Sequence, residues 1–91
     1  MKLAWTRKAL SDLARLHEFL VTINPRAAAR TVQSLTAAPA RLLENPRIGE
    51  KLDEFAPREV RRILVGRYDM RYEIQESTVY VLRLWHTRED R

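Results

Sequence analysis

Between Tyr68 and Gln75 the chain alternates: Tyr68, Met70, Tyr72 and Ile74 are set against Asp69, Arg71, Glu73 and Gln75. That period of two predicts a strand with one dry face and one wet face. The flanking segments Glu59 to Val65 and Thr78 to His86 are rich in β-branched and aromatic residues. Gly66-Arg67 and Glu76-Ser77 separate them from the central strand, so the three are expected to form an antiparallel meander with tight turns. Upstream the period changes. From Arg7 to Ile23 the residues Ala9, Leu13, Leu16, Leu20 and Ile23 recur at spacings of four and three, with Lys8, Ser11, Asp12, Arg15 and Glu18 on the other side, which predicts an amphipathic helix. Before it, Leu3 and Trp5 share one side of a short strand over Met1 to Trp5, and Thr6 offers a hydroxyl to cap the helix.

Asn24-Pro25 starts a second helix, since Asn is a good N-cap and Pro suits the first helical position. Ala28, Val32, Leu35 and Leu42 continue a buried stripe, and the short connection makes the two helices an antiparallel hairpin. Pro39 removes the bond to the Leu35 carbonyl, so a kink or break is expected near Ala38, and Asn45-Pro46 ends the helix. Pro46 to Pro57 reads as a loop pinned by Leu52 and Phe55. Helices followed by strands imply an α+β fold over residues 1–91 as one domain: an N-terminal strand, then a helical hairpin packed on one face of a C-terminal three-stranded antiparallel meander. The other sheet face is expected to be open. Leu10 and Phe19 widen the first helix's apolar stripe, which implies either fuller burial, the preferred reading, or a groove left for a partner.

Composition narrows the chemistry. With 17 Lys and Arg against 12 Asp and Glu the net charge is +5, a bias toward nucleic acid or acidic protein segments. There is no cysteine and there are only two histidines, well apart, so no metal site and no cofactor is expected. The apolar runs are short and the N-terminus lacks an apolar signal region, so a cytoplasmic protein without membrane contact is expected.

Simple alternation along Thr78 to His86 puts Tyr80, Leu82, Leu84 and His86 on one face and Val79, Val81, Arg83 and Trp85 on the other. If the leucines face the helices, Arg83 and Trp85 join Arg71 on the open face, with Arg61 or Arg62 beside them. Such a cluster suits RNA or phosphate, since guanidinium groups pair with phosphate and Trp stacks on bases. A solvated sheet face covered by arginine stems explains the same residues equally well. His86 is the candidate general acid or base, although alternation sets it opposite Arg83. Glu73, Glu76 and Asp90 are further candidate bases whose ordinary role is a solvated carboxylate. His17 is assigned no function, and no phosphate loop or nucleophile arrangement is present.

Taken together, NPRAAART opening the second helix, NPRIGEKL leaving it, and VRRILVGRYDMRYEI followed by VYVLRLWHTRED resemble the RelE/ParE superfamily of bacterial toxins. The likeness covers nearly the whole chain. Its most specific parts are Pro46 with Gly49, Arg61 ahead of Tyr68 and Tyr72, and the closing Leu84-Trp85-His86-Thr87-Arg88. RelE-like members of this superfamily are ribosome-dependent mRNA endonucleases; ParE-like members share the fold, lack the catalytic set and poison DNA gyrase. The His86-x-Arg88-x-Asp90 ending and the tyrosine pair resemble the ParE branch, often called plasmid stabilisation proteins. The sequence also reaches Arg91 without the terminal tyrosine the ribonuclease branch implies. The resemblance therefore implies a gyrase-inhibiting toxin held in a hetero-oligomer by a cognate antitoxin. On it, Arg61, Arg71, Arg83, Trp85 and Arg88 would face the target, and Leu10 and Phe19 the antitoxin. The alternative is a ribonuclease acting on ribosome and mRNA, with Arg61, Arg71 and Arg83 on phosphate and His86 moving the proton.

Overall fold

The computed structural model describes residues 1–89. Five strands form one sheet: β1 (Lys2–Trp5), β2 (Glu50–Lys51), β3 (Glu59–Val65), β4 (Tyr68–Gln75) and β5 (Thr78–His86), in the order β1-β5-β4-β3-β2. β1 runs parallel to β5 and the other neighbours are antiparallel. Three helices lie on one face. Thr6 accepts the Ala9 N–H at 3.1 Å and so starts α1 (Arg7–Val21). Asn24 accepts the N–H groups of Arg26 and Ala27 at 3.1 and 3.2 Å, and Pro25 opens α2 (Pro25–Ala37). Pro39 has no N–H to continue the ladder, so the helix breaks at Ala38 and restarts as α3 (Pro39–Glu44).

The helix-side core joins Ala9 and Leu16 of α1 and Leu35 of α2 to Met70, Val81 and Leu84 of the sheet. A second cluster packs Leu42 of α3 on Tyr72, Ile74 and Val79, and Leu3 and Ile63 touch both. The meander strands end where the sequence pattern placed them. Gly66, with φ of 61°, makes the first turn, and Glu76 takes φ of 54° in the second.

Several expectations need correction. The segment 46–57 is not all loop: it adds β2 at the sheet edge and a 3₁₀ turn over Asp53–Phe55. The first helix ends at Val21, and Ile23 lies exposed beyond it. Leu10 and Phe19 are not buried, being 52% and 64% exposed. Asp12, assigned to the solvated side of α1, is only 5% exposed. The strand face called wet is dry at its centre, with Asp69 at 0% and Glu73 at 6%. Finally, β5 contains a bulge. Tyr72 faces Val81 but Arg71 faces Arg83, so Leu82 is the extra residue. Val79 and Val81 therefore join Leu84 on the helix side, where simple alternation had placed Tyr80 and Leu82.

Candidate functional site

Directly opposed residues in a ladder project to the same face, so the register sorts the arginines. Arg62, Arg71 and Arg83 line up across β3, β4 and β5 on the face away from the helices. Arg61 opposes the core residue Tyr72 and lies on the other side. Of the two β3 arginines left open by the sequence, Arg62 joins Arg71 and Arg83, whereas Arg61, which the resemblance grouped with them, does not.

On this face the cations are engaged within the chain. Arg71 stacks on two rings, its guanidinium carbon 4.8 Å from the Trp85 centroid and 5.1 Å from that of Phe55. Arg83 also meets Trp85, at 4.8 Å. Its Nε and Nη2 donate to the Asp12 carboxylate at 2.8 and 3.1 Å, and the Leu84 N–H adds a third bond at 2.9 Å. Burial alone would push the Asp12 carboxyl up, but the Arg83 and Leu84 hydrogen bonds, with the Arg83 charge and a bond from Arg15, outweigh it and hold the carboxyl below its usual value. Arg62 donates to Asp69 at 3.1 Å and to Glu50 at 3.0 Å. Arg58 grips Glu73 with two bonds of 3.0 and 2.8 Å. The result is a stacked, ion-paired surface.

Arg61 belongs to a knot at the sheet's opposite corner. The Tyr72 hydroxyl donates to the Pro46 carbonyl at 2.6 Å and accepts the Gly49 N–H at 3.0 Å. Arg61 Nη1 donates to the Gly49 carbonyl at 2.8 Å, and its Nε to Glu59 at 3.0 Å. A Cβ on Gly49 would come within 2.6 Å of both the Tyr72 hydroxyl and the Arg62 carbonyl, so no larger residue fits. Pro46, Gly49, Arg61 and Tyr72, the motif residues, thus fold one loop onto the sheet. Burial raises the Tyr72 pKa, keeping the hydroxyl a donor.

His86 lies on the helix side, edge-on to Tyr68 with ring centroids 5.2 Å apart. Its Nδ1 accepts the Arg88 N–H at 3.1 Å. Two clefts meet at this pair. One, of about 570 Å³, lies against α1 at Leu16, Phe19 and Leu20 and is rimmed by Arg15 and Arg88; the other, of about 500 Å³, runs past Arg30 of α2 and Arg67 of the turn. His86 and Arg88 therefore come together, while Arg71, Arg83 and Trp85 sit across the sheet from them. Phe19 lines the cleft. Leu10 precedes it by nine residues, half a turn at about 100° per residue, and occupies the opposite flank of α1.

Of the candidate bases, Glu73 is held by Arg58, Glu76 occupies a turn, and Asp90 lies outside the described residues. His17 is exposed on α1. Among the described residues no group of three His, Cys, Asp or Glu side chains could hold a metal ion. Two site residues escaped the sequence reading. Asp12 follows Ala9 by three and precedes Leu16 by four, so it stands on the buried stripe, and that spacing was the signal. Phe55 carried no such signal, since its partner Arg71 is brought to it only by the sheet.

The five-stranded mixed sheet backed by helices is an α+β fold shared with the RelE/ParE toxins. Residues 3–91 match the family described as the ParE toxin of the type II toxin-antitoxin system parDE, and the chain belongs to that family. It is 40% identical over 86 residues to Toxin RelE1 of Caulobacter vibrioides, covering 92% of this chain and 90% of that one. Toxin RelE2 of the same organism is 31% identical over 85 residues, 93% of each chain. Among solved structures, a chain of the chromosomal ParDE system from P. aeruginosa superposes with a TM-score of 0.79 at 25% identity, over 94% of this chain and 95% of that one. Family membership implies a cognate antitoxin as partner. None of the described helices is long and apolar enough to cross a membrane.

Proposed function

We propose that this toxin acts in the cytoplasm by binding and inhibiting DNA gyrase, without catalysis, and that its antitoxin seats on the cleft at Phe19. The observation that carries this reading is the placement of His86 and the Arg71–Arg83 pair on opposite faces of one sheet. Cleaving RNA through its 2′-hydroxyl needs an acid or base and a charge clamp at a single phosphate, each within about 3 Å of its target. A sheet between the two prevents that. The cations that would clamp phosphate are also already held by Asp12, Asp69 and two aromatic rings. In this reading Arg88 and the cleft rim face outward to partners, while Arg61 and Arg62 hold the fold.

Purified toxin added to a gyrase supercoiling reaction is expected to abolish supercoiling and to leave mRNA intact on translating ribosomes. Cleaved mRNA with normal supercoiling would overturn the proposal.

One observation favours a second reading, a ribosome-dependent mRNA endonuclease. The Arg88 N–H on Nδ1 makes Nε2 the remaining hydrogen-bonding atom of His86, where two clefts meet, one lined by Arg30 and Arg67 and the other by Arg88. That reading requires His86→Ala to abolish mRNA cleavage while the fold is kept.

A further inference from the structure

One face of α2 and the turn between β3 and β4 enclose a cleft of about 500 Å³, within the roughly 300–1,000 Å³ usual for small-molecule sites. Ala27, Arg30, Thr31 and Ser34 recur at helical spacing and form one wall, and Gly66 and Arg67 form the other. Leu35 and Val65 contribute apolar surface, and the cleft shares Tyr68 and His86 with the one at Phe19. The turn wall is fixed in place. Gly66 takes φ of 61°, and the Arg67 carbonyl accepts the Thr87 N–H at 2.9 Å, which ties the turn to the end of β5.

Charge in this cleft differs from that on the sheet face, where Arg58, Arg62 and Arg83 are each held by a carboxylate. Arg30 and Arg67 make no ion pair among the described residues, and no carboxylate lines the cleft they share. The hydroxyls of Thr31, Ser34 and Tyr68 likewise make no hydrogen bond among the described residues. Because His86 Nδ1 accepts the Arg88 N–H, Nε2 carries the proton of the neutral ring and is a further donor. Two guanidinium groups with neutral donors beside them, and nothing to neutralise them, suit an anion.

We propose that this cleft binds a nucleoside monophosphate, its phosphate held by Arg30 and Arg67 and its base laid on the apolar surface of Ala27, Leu35 and Val65. The two parts of the ligand follow from the two kinds of lining. Arginines on opposite walls suit a terminal phosphate, which offers three free oxygens where a phosphate inside a nucleic-acid strand offers two. The phosphate alone would leave the apolar surface bare, and a flat base covers it. Thr31 and Ser34 stand on the same wall as Arg30, where their hydroxyls can meet the ribose. No bond is made or broken, and the site depends on neither reading of the toxin's target.

AMP titrated into the ¹⁵N-labelled full chain tests this. It should shift the amides of Arg30, Thr31, Gly66, Arg67 and Tyr68 saturably, with a single Kd. Adenosine and inorganic phosphate, each carrying one part of the ligand, should bind roughly tenfold or more weakly than AMP. Arg30→Gln and Arg67→Gln, both at exposed positions, should each raise Kd about two- to fivefold, and together by roughly tenfold. Ala27→Leu keeps every charge but fills the cleft, so it should abolish binding, which a diffuse electrostatic association would survive. Should that variant lose the native circular dichroism spectrum, the comparison of AMP with adenosine and phosphate on the native chain decides the matter. Phosphate binding as tightly as AMP, a Kd unmoved by the double arginine change, or shifts centred on Arg71, Arg83 and Trp85 would each overturn the proposal. So would an RNA oligonucleotide without a terminal phosphate that displaces AMP at a lower concentration, since the cleft would then belong to a strand. Supercoiling is measured without AMP, so the gyrase result stands or falls on its own.

Discussion

Asp12 and Arg83 are joined by hydrogen bonds of 2.8 and 3.1 Å across 71 residues of sequence. Through that pair a helix takes the place of a strand. β1 stops opposite Val81, and beyond it the edge of β5 is completed by the Thr6 hydroxyl, which donates to the Leu82 carbonyl at 3.0 Å, and by Asp12, which accepts the Leu84 N–H.

Removing that carboxylate strands the Leu84 N–H and uncouples α1 from β5. Asp12→Ala is expected to lower the unfolding free energy by about 2–4 kcal/mol in urea titrations at neutral pH. The pH dependence has a definite sign. Because the folded carboxyl sits below its ordinary value of about 3.9, its contribution is complete above that pH and is lost as pH falls through the lowered folded value. The parent should therefore lose stability below about pH 4 more steeply than Asp12→Asn does.

Tyr72→Phe deletes the two bonds its hydroxyl makes in the knot, to Pro46 and Gly49, and should cost about 1–2 kcal/mol. Gly49→Ala is expected to cost more. Its Cβ would meet the Arg62 carbonyl as closely as the Tyr72 hydroxyl, so combining it with Tyr72→Phe should not restore stability. Thermal unfolding of both single variants and the double variant checks this.

Glu76 holds a positive φ of 54° with a side chain that disfavours it. Glu76→Gly should stabilise the chain by about 0.5–1 kcal/mol, seen as a higher Tm with unchanged far-ultraviolet circular dichroism.

The flat guanidinium of Arg71 touches two rings, a contact that an ammonium reproduces poorly. Arg71→Lys should lose about 1 kcal/mol of stability. Trp85 is almost fully buried, and Trp85→Ala should lose about 3–5 kcal/mol.

Phe19 projects into the cleft from an exposed position, so Phe19→Ala should leave the Tm unchanged and weaken antitoxin binding by tenfold or more, on the order of 1.5 kcal/mol. Leu10→Ala, on the other flank, should weaken it less. Calorimetric titration of the co-expressed, then separated, pair measures both.

The fold was legible where single residues punctuate the chain. Thr6, Asn24-Pro25, Pro39 and Gly66 act through neighbours a few positions away, so their effects can be read locally. What stayed hidden depends on partners far along the chain. Asp12 looks like a surface residue until Arg83 and Leu84 arrive, and Phe55 looks like a loop anchor until the sheet presents Arg71. The extra residue Leu82 leaves no trace in composition, and it alone moved Val79 and Val81 to the helix side. The motif of Pro46, Gly49, Arg61 and Tyr72 was legible as a pattern, but only the folded loop reveals it as scaffolding.

The bond from Thr6 to the Leu82 carbonyl also bears on synthesis. It spans 76 residues, and the parallel pairing of β1 with β5 bridges just as many. β5 lies between β1 and the rest of the sheet, yet it is translated after every other described element. A nascent chain that has emerged only as far as β4 holds β1 without the strand it pairs with and Asp12 without Arg83 and Leu84. The toxin therefore cannot assemble piecemeal from its N-terminus, and its surfaces come into being together once β5 is made.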